Sequence, residues 1–246
     1  MKTGRRRIRI CSSSQDVDSS VKESMSCLRF VFAALLGFAG SVALLAQAPS
    51  PMITFTLDFP GSDPSHYSIA VDATGRAVYE CSVKTESDSE EQAYHLAFEV
   101  SPTNRERIFL LAKQSKFFEG NVDSGNRRLA FTGAKILSYQ DGQRSFTARY
   151  NYSSLEPVRD ITALFQNMAA TLEYGRKLAY LHKYQKLALD DELKLMEVQA
   201  RHNELNEIQG VRPVLQQIVD DPSVLNVVRA RAQELIQLGS SSPAGH

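Results

Sequence analysis

The chain has 246 residues, of which 28 are Lys or Arg and 28 are Asp or Glu, so its formal net charge is zero. This balance argues against a nucleic-acid-binding protein, because binding to phosphates needs a cationic surface. Hydrophobic residues make up 43% of the chain, which is too large a share for a protein that is disordered throughout.

An uncharged apolar segment spans residues 30–45, with Arg29 before it and the sequence Ala-Gln-Ala, ending at Ala48, after it. A basic flank, an apolar stretch and a cleavage site of small residues form the pattern of a secretory signal peptide. The segment is slightly short for a permanent membrane helix, which needs about 20 residues. We interpret residues 1–48 as a basic extension plus a signal peptide that is cleaved after Ala48. The alternative is an uncleaved N-terminal membrane anchor.

Both Met1 and Met25 are possible start residues, and Met25 gives a signal peptide of normal proportions. Removal of residues 1–48 leaves 21 basic and 25 acidic residues and a single cysteine, Cys81. One cysteine cannot form an internal disulfide, so the remaining chain must rely on its hydrophobic core. The predicted location is the periplasm or the cell exterior, or the inner membrane if the anchor is retained.

Residues 49–156 show the alternation of apolar and polar residues that indicates β-strands. Four such segments lie between residues 52 and 100, and two more lie at about 129–139 and 143–152. Ser101-Pro102 between these groups is a helix-start signal, an N-cap hydroxyl followed by proline. The pattern predicts an α+β fold, an antiparallel meander with one crossing helix in the order β-β-β-β-α-β-β.

From residue 157 onward the apolar spacing is helical. No proline interrupts residues 158–212, so the pattern predicts one long helix over 157–206. Gly210 ends it, and a helical hairpin is predicted over 211–238. Residues 239–246 are predicted to be a disordered tail.

The chain lacks the local signatures of phosphate, dinucleotide or zinc sites and of the serine nucleophile elbow. Cys81 alternates with Tyr79 and Val83 on one strand face, which favours a buried core residue over a nucleophile. We therefore predict no catalytic residues, no metal site and no cofactor, and a protein that is not an enzyme.

Two surfaces remain as candidates. The first is the polar face of the sheet, where two histidines could meet near Asp72 or Glu80 to hold a metal or a small ligand. Solvated histidines are the favoured interpretation of this surface. Its candidate residues are Thr54, Thr56, His66 and His95.

The second surface lies on the long helix, where apolar residues spread over more than one helix face and so need burial on several sides. These residues either pack on the chain's own hairpin or meet another chain, a second copy or an envelope partner. The candidate interface residues are Tyr180, Tyr184, Leu187, Leu189, Leu193 and Met196.

A signal peptide, a small α+β meander and C-terminal helices together make a layout that resembles uncharacterised exported proteins of bacteria. The resemblance rests on layout and implies no activity. The predicted function is a non-enzymatic cell-envelope protein that binds itself or another envelope protein through its C-terminal helices. The alternative is a small-ligand-binding protein that uses the polar sheet face. No nucleic acid is expected as a partner, and membrane contact is expected only through residues 30–45 if they are not cleaved.

Overall fold

Six strands form one sheet, with a helix between the fourth and fifth strands in the sequence. The computed structural model of the chain describes residues 50–85 and 88–241. The strands are β1 (Met52–Asp58), β2 (His66–Asp72), β3 (Arg76–Thr85), β4 (Asp88–Glu99), β5 (Ala134–Gln140) and β6 (Ser145–Tyr150). All neighbouring strands are antiparallel, in the order β4-β3-β2-β1-β5-β6. The predicted α+β class and element order are confirmed.

Strand β1 lies in the middle of the sheet. Apolar and polar residues alternate along it, and this alternation determines which face of the sheet is turned towards the core. Ile53, Phe55 and Leu57 are buried, whereas the two threonines between them stay partly exposed. Phe55 is paired with Ile69 of β2 and with Leu137 of β5, so apolar residues stand opposite one another across three strands. A slip of one residue would turn this apolar set to solvent, so the pattern specifies the register.

Two of the sheet's hairpins use an aspartate followed by a glycine with positive φ. The Asp72 carboxylate accepts hydrogen bonds from the backbone N–H groups two and four residues later, and Gly75 has φ +94°. Asp141 binds the backbone N–H groups two and three residues later, beside Gly142 with φ +83°. Aspartate side chains that mimic a turn and glycines that accept positive φ explain why these sequences reverse direction.

The helices are α1 (Pro102–Gln114), α2 (Glu156–Tyr184), α3 (Leu189–Arg201), α4 (Arg212–Asp220) and α5 (Asn226–Ser241), with 3₁₀ turns at Lys116–Phe118, Lys186–Ala188 and Ile208–Val211. Ser101 caps α1 as predicted, because its side chain accepts a hydrogen bond from the N–H of Asn104. Helix α2 covers the inner face of the sheet, where the rings of Phe165 and Phe55 stack 5.4 Å apart.

The helix predicted over 157–206 is two helices in the structure. Helix α2 is continuous through Gly175 but ends at Tyr184, and α3 then folds back along it. The Lys177–Glu192 ion pair, 2.6 Å between Nζ and Oε2, joins residues that a straight helix would hold about 22 Å apart. No proline or glycine causes the break. Folding back buries the apolar stripe of α3 on the rest of the chain, whereas a straight helix would leave it in water.

The hairpin predicted over 211–238 corresponds to α4 and α5. The two helices are joined by apolar contacts and by the Arg229 guanidinium, whose Nε donates to the Val219 carbonyl at 2.6 Å. Helix α5 extends to Ser241, so residues 239–241, predicted as the start of a disordered tail, are helical. The remainder of that predicted tail and the predicted signal peptide or anchor lie outside the described residues.

Buried side chains form one cluster that runs from the sheet through α2 into α4 and α5. The sheet part and the helical part therefore share a core. Among the helices of residues 50–85 and 88–241, none combines the length and the hydropathy that crossing a membrane requires.

Candidate functional site: the corner between helices α2 and α3

The six predicted interface residues divide into a buried and an exposed set. Leu189, Leu193 and Met196 are fully buried. They belong to the core because α3 packs against α2 and α5. These three residues therefore stabilise the chain itself and are not available to a partner.

The other three residues stay on the surface at the point where α2 ends and α3 begins. Tyr180, Tyr184 and Leu187 are 50%, 61% and 88% exposed, and we call these three residues the corner surface. The two tyrosines lie one helical turn apart with ring centroids 5.1 Å apart. The Lys183 ammonium sits 4.9 Å from the centre of the Tyr184 ring, in cation–π geometry. The corner surface thus displays two aromatic rings and an aliphatic side chain together.

An ionic cluster ties the corner surface to the turn between α4 and α5. The Asp221 carboxylate lies 2.6 Å from Lys186 Nζ and 2.8 Å from His182 Nε2. The Lys186 ammonium also reaches the Ser223 hydroxyl at 2.6 Å. Hydrogen bonds from Lys186, Ser223 and His182 hold the pKa of Asp221 well below its usual range. The corner is therefore a fixed part of the fold, although Lys186 and Leu187 lie outside the α-helices.

The predicted ligand face exists, but its two histidines do not meet. Thr54, Thr56, His66 and His95 all lie on the sheet face opposite the helices. His66 pairs with Asp58 through Nδ1, and His95 Nδ1 lies 3.1 Å from Glu80.

The register places the two histidines two strands and two residues apart, roughly 12 Å between Cα atoms. Each imidazole is thus engaged with its own carboxylate. Within the described residues, no group of three or more His, Cys, Asp or Glu side chains is arranged to hold a metal ion.

Cys81 lies in the core, where an unforeseen polar contact joins the sheet to α2. Glu173 Oε1 accepts a 2.6 Å hydrogen bond from the Tyr79 hydroxyl and lies 3.4 Å from the Cys81 thiol. Arg176 forms an ion pair with the same carboxylate at 2.6 Å. Burial and the nearby Glu173 charge raise the pKa of the Cys81 thiol to about 11, so it stays protonated at neutral pH. The cluster positions α2 on the sheet and keeps the buried thiol in its protonated form.

A groove of about 1020 Å³ lies between α1, α2 and residues 203–209. No local pattern in the sequence indicates this groove. Glu207 lies at its base with a buried carboxylate, which accepts hydrogen bonds from the Ser101 backbone N–H, the Ser101 hydroxyl and the Asn104 side chain. Both oxygens of this acid are engaged by the start of α1, so Glu207 is a structural cap rather than an available ligand group.

No model of a known protein family matches the chain. No curated protein matches it significantly either.

Proposed function

We propose that the protein is a non-enzymatic component of the bacterial cell envelope that binds another envelope protein through the corner surface. The observation that carries this proposal is the joint exposure of Tyr180, Tyr184 and Leu187, beside neighbours that are buried. The signal-like segment at residues 30–45 supports an exported location.

The chemistry of the corner surface suits protein recognition. Tyrosine brings a large apolar area and a polar hydroxyl, and burial of a tyrosine fixes few side-chain torsions. Aromatic residues are enriched among the few residues that supply most of the binding free energy of an interface. Asp221 already fixes the corner to the hairpin, so this part of the chain loses little further conformational freedom when a partner binds.

Site-specific photocrosslinking in cells tests this proposal. A photoreactive phenylalanine analogue would replace Tyr184 or Leu187, and the matched control would carry it at Glu119, an exposed residue remote in sequence from the corner. We expect an adduct of defined mass at both corner positions and none at the control. Adducts of twice the monomer mass would assign the surface to a second copy. The absence of any corner adduct, or equal adducts at Glu119, would contradict the proposal.

A double substitution supplies the complementary test. Tyr184→Asp combined with Leu187→Asp should remove a crosslink made from Tyr180, because carboxylates would need to be desolvated in the interface. The melting temperature should stay within a few degrees of the wild type, since both side chains are exposed. Persistence of the crosslink at full yield would show that the two residues do not contact the partner.

A further inference from the structure

No helix among the described residues covers the second face of the sheet, and the centre of that face carries short side chains. The register aligns its outward residues into rows that cross all six strands. The two central rows, each read from β4 to β6, are Ala97, Val78, Ala70, Thr54, Ser138 and Thr147, and His95, Glu80, Ser68, Thr56, Ile136 and Arg149. None of these side chains is buried, and none of the apolar ones belongs to the core cluster.

The composition of this face is unusual for a surface that meets only water. Nine of the twelve residues in the two rows are Ala, Ser, Thr, Val or Ile. The centre of the face has no long, hydrated side chain, and Val78 is 41% exposed. Short side chains leave the sheet flat enough for another layer to approach to about 10 Å, the usual spacing of packed sheets.

The charges of the second row lie at its two ends. Arg149 stands on β6, whereas Glu80 and His95 stand on β3 and β4, at the opposite edge of the sheet. Glu80 and His95 contact each other, but the Arg149 side chain makes no hydrogen bond or ion pair within the described part of the chain. In this row a cation, Arg149, therefore stands at one end, and a paired carboxylate and imidazole, Glu80 and His95, stand at the other.

A two-fold axis parallel to the strands, passing between β1 and β2, exchanges the two ends of each row. It places β6 of one copy over β4 of the other, so that Arg149 lies opposite His95 of the second copy, with Glu80 of that copy about 4.8 Å farther along the row. The central Thr54 then faces Ala70 of the second copy, a close apolar contact. Along the first row, short side chains of one copy therefore face short side chains of the other, as a two-fold interface requires of a surface that packs on itself.

The area of the face is sufficient for a stable dimer. Six strands about 4.8 Å apart, each contributing about six residues, present roughly 600 Å² per copy. Two copies together would bury about 1,200 Å², which lies at the lower end of the range for specific interfaces. We propose that two copies of this chain pair through their open sheet faces, leaving the corner surface of each copy free for another partner.

Light scattering coupled to size exclusion tests the pairing, on protein purified from cells that express the full chain. We expect wild-type protein to have twice the monomer mass at 100 µM or below. Thr54→Lys places a cation at the centre of the interface and should give a monomer with an unchanged circular dichroism spectrum. Thr103→Lys, the same substitution on the exposed surface of α1, should remain dimeric.

If Thr54→Lys does not fold, a pair of charge-reversing substitutions, Arg149→Glu and Glu80→Arg, tests the dimer instead. Arg149→Glu should raise the dimer Kd at least tenfold, and the addition of Glu80→Arg should restore it, since Glu80 of the second copy lies one strand from the residue opposite Arg149. Three results would overturn the proposal: a monomeric wild type, a Thr54→Lys variant as dimeric as Thr103→Lys, or no restoration of the dimer by the charge exchange.

The double variant Tyr184→Asp with Leu187→Asp should leave the dimer intact. Dissociation of that variant would instead assign self-association to the corner surface, so the two proposals can fail separately.

Discussion

Glu207 shows how one residue can join distant parts of the chain. Its backbone is left-handed, with φ 62°, a conformation that costs a residue with a side chain roughly 1 kcal/mol or more. That conformation directs the buried carboxylate to the start of α1, where Ser101 and Asn104 donate to it. The three hydrogen bonds offset the strain. The positive end of the α1 dipole adds to the attraction.

Replacement of Glu207 should therefore destabilise the protein more than an exposed glutamate would. We expect Glu207→Ala to lower the free energy of unfolding by roughly 2–3 kcal/mol, because donors at the start of α1 lose a charged acceptor. Urea unfolding followed by circular dichroism measures this difference. Glu204→Ala, an exposed neighbour, serves as the control and should change stability by less than about 0.5 kcal/mol. Equal effects of the two substitutions would show that the cap contributes nothing.

At the scale of secondary-structure elements, the position of α2 depends on a glycine. A Cβ atom added to Gly175 would lie 2.4 Å from Cγ1 of Val211, on the 3₁₀ turn that follows α3. Only hydrogen fits between the helix and this turn. The close approach allows the C-terminal elements to continue the core that begins at the sheet.

We expect Gly175→Ala to destabilise the protein by roughly 1–3 kcal/mol through overpacking. In an unobstructed helix the same change would stabilise by about 1 kcal/mol, so the sign of the effect identifies the contact. Val211→Ala removes the opposing methyl groups, and the double variant should be more stable than the two separate losses added together. Thermal melts of the wild type, the two single variants and the double variant complete this double-mutant cycle. A stabilising Gly175→Ala would contradict the close packing.

Local patterns in the sequence were enough to predict the order of the strands and α1, but not the break between α2 and α3 or the contacts between elements. The alternation in β1, the cap at Ser101 and the turn at Asp141 were all predictable because each depends on neighbouring residues. The apolar stripe of α3 was recognised, but Leu189 and Leu193 follow the same spacing whether they pack on their own chain or on another. Only the fold distinguishes them from the exposed Leu187. The Glu207 cap joins residues more than 100 positions apart, so no local pattern could indicate it.

At the scale of the whole molecule, several carboxylates are more acidic in the folded protein than in an unfolded chain. Hydrogen bonds from Arg144 lower the pKa of Asp141 to about 2, and hydrogen bonds from Lys186 and Ser223 hold the pKa of Asp221 well below its usual range. Hydrogen bonds from a cation or from the backbone also lower the pKa values of Asp123, Asp190 and Glu197. A carboxylate with a lowered pKa in the folded state stabilises the protein above its unfolded pKa near 4. That contribution disappears as the pH falls through the folded value.

The urea midpoint should therefore change little between pH 8 and pH 5 and should decrease steadily from pH 5 to pH 2. Asp221→Asn should lower the midpoint at pH 7 because it removes the anion bound by Lys186 and His182. The difference between variant and wild type should shrink toward pH 2, since below about pH 4 the unfolded wild-type chain binds a proton at Asp221 that the folded chain does not. Unfolding curves at pH 7, 4 and 2.5 measure this convergence. A difference that stays constant with pH would exclude an ionic role for Asp221.

The order of strands also determines when the sheet can be completed. Strand β1 is the first strand along the chain but the fourth across the sheet, between β2 and β5. Its pairing with β2 is local, whereas β5 follows it only after β2, β3, β4 and α1. During synthesis, one edge of β1 therefore stays without its hydrogen-bonding partner until residues 134–140 have been made. Unpaired apolar edges are the sites through which unfinished chains aggregate. For this protein, the interval before β5 arrives is when a nascent chain most needs to be kept away from its copies.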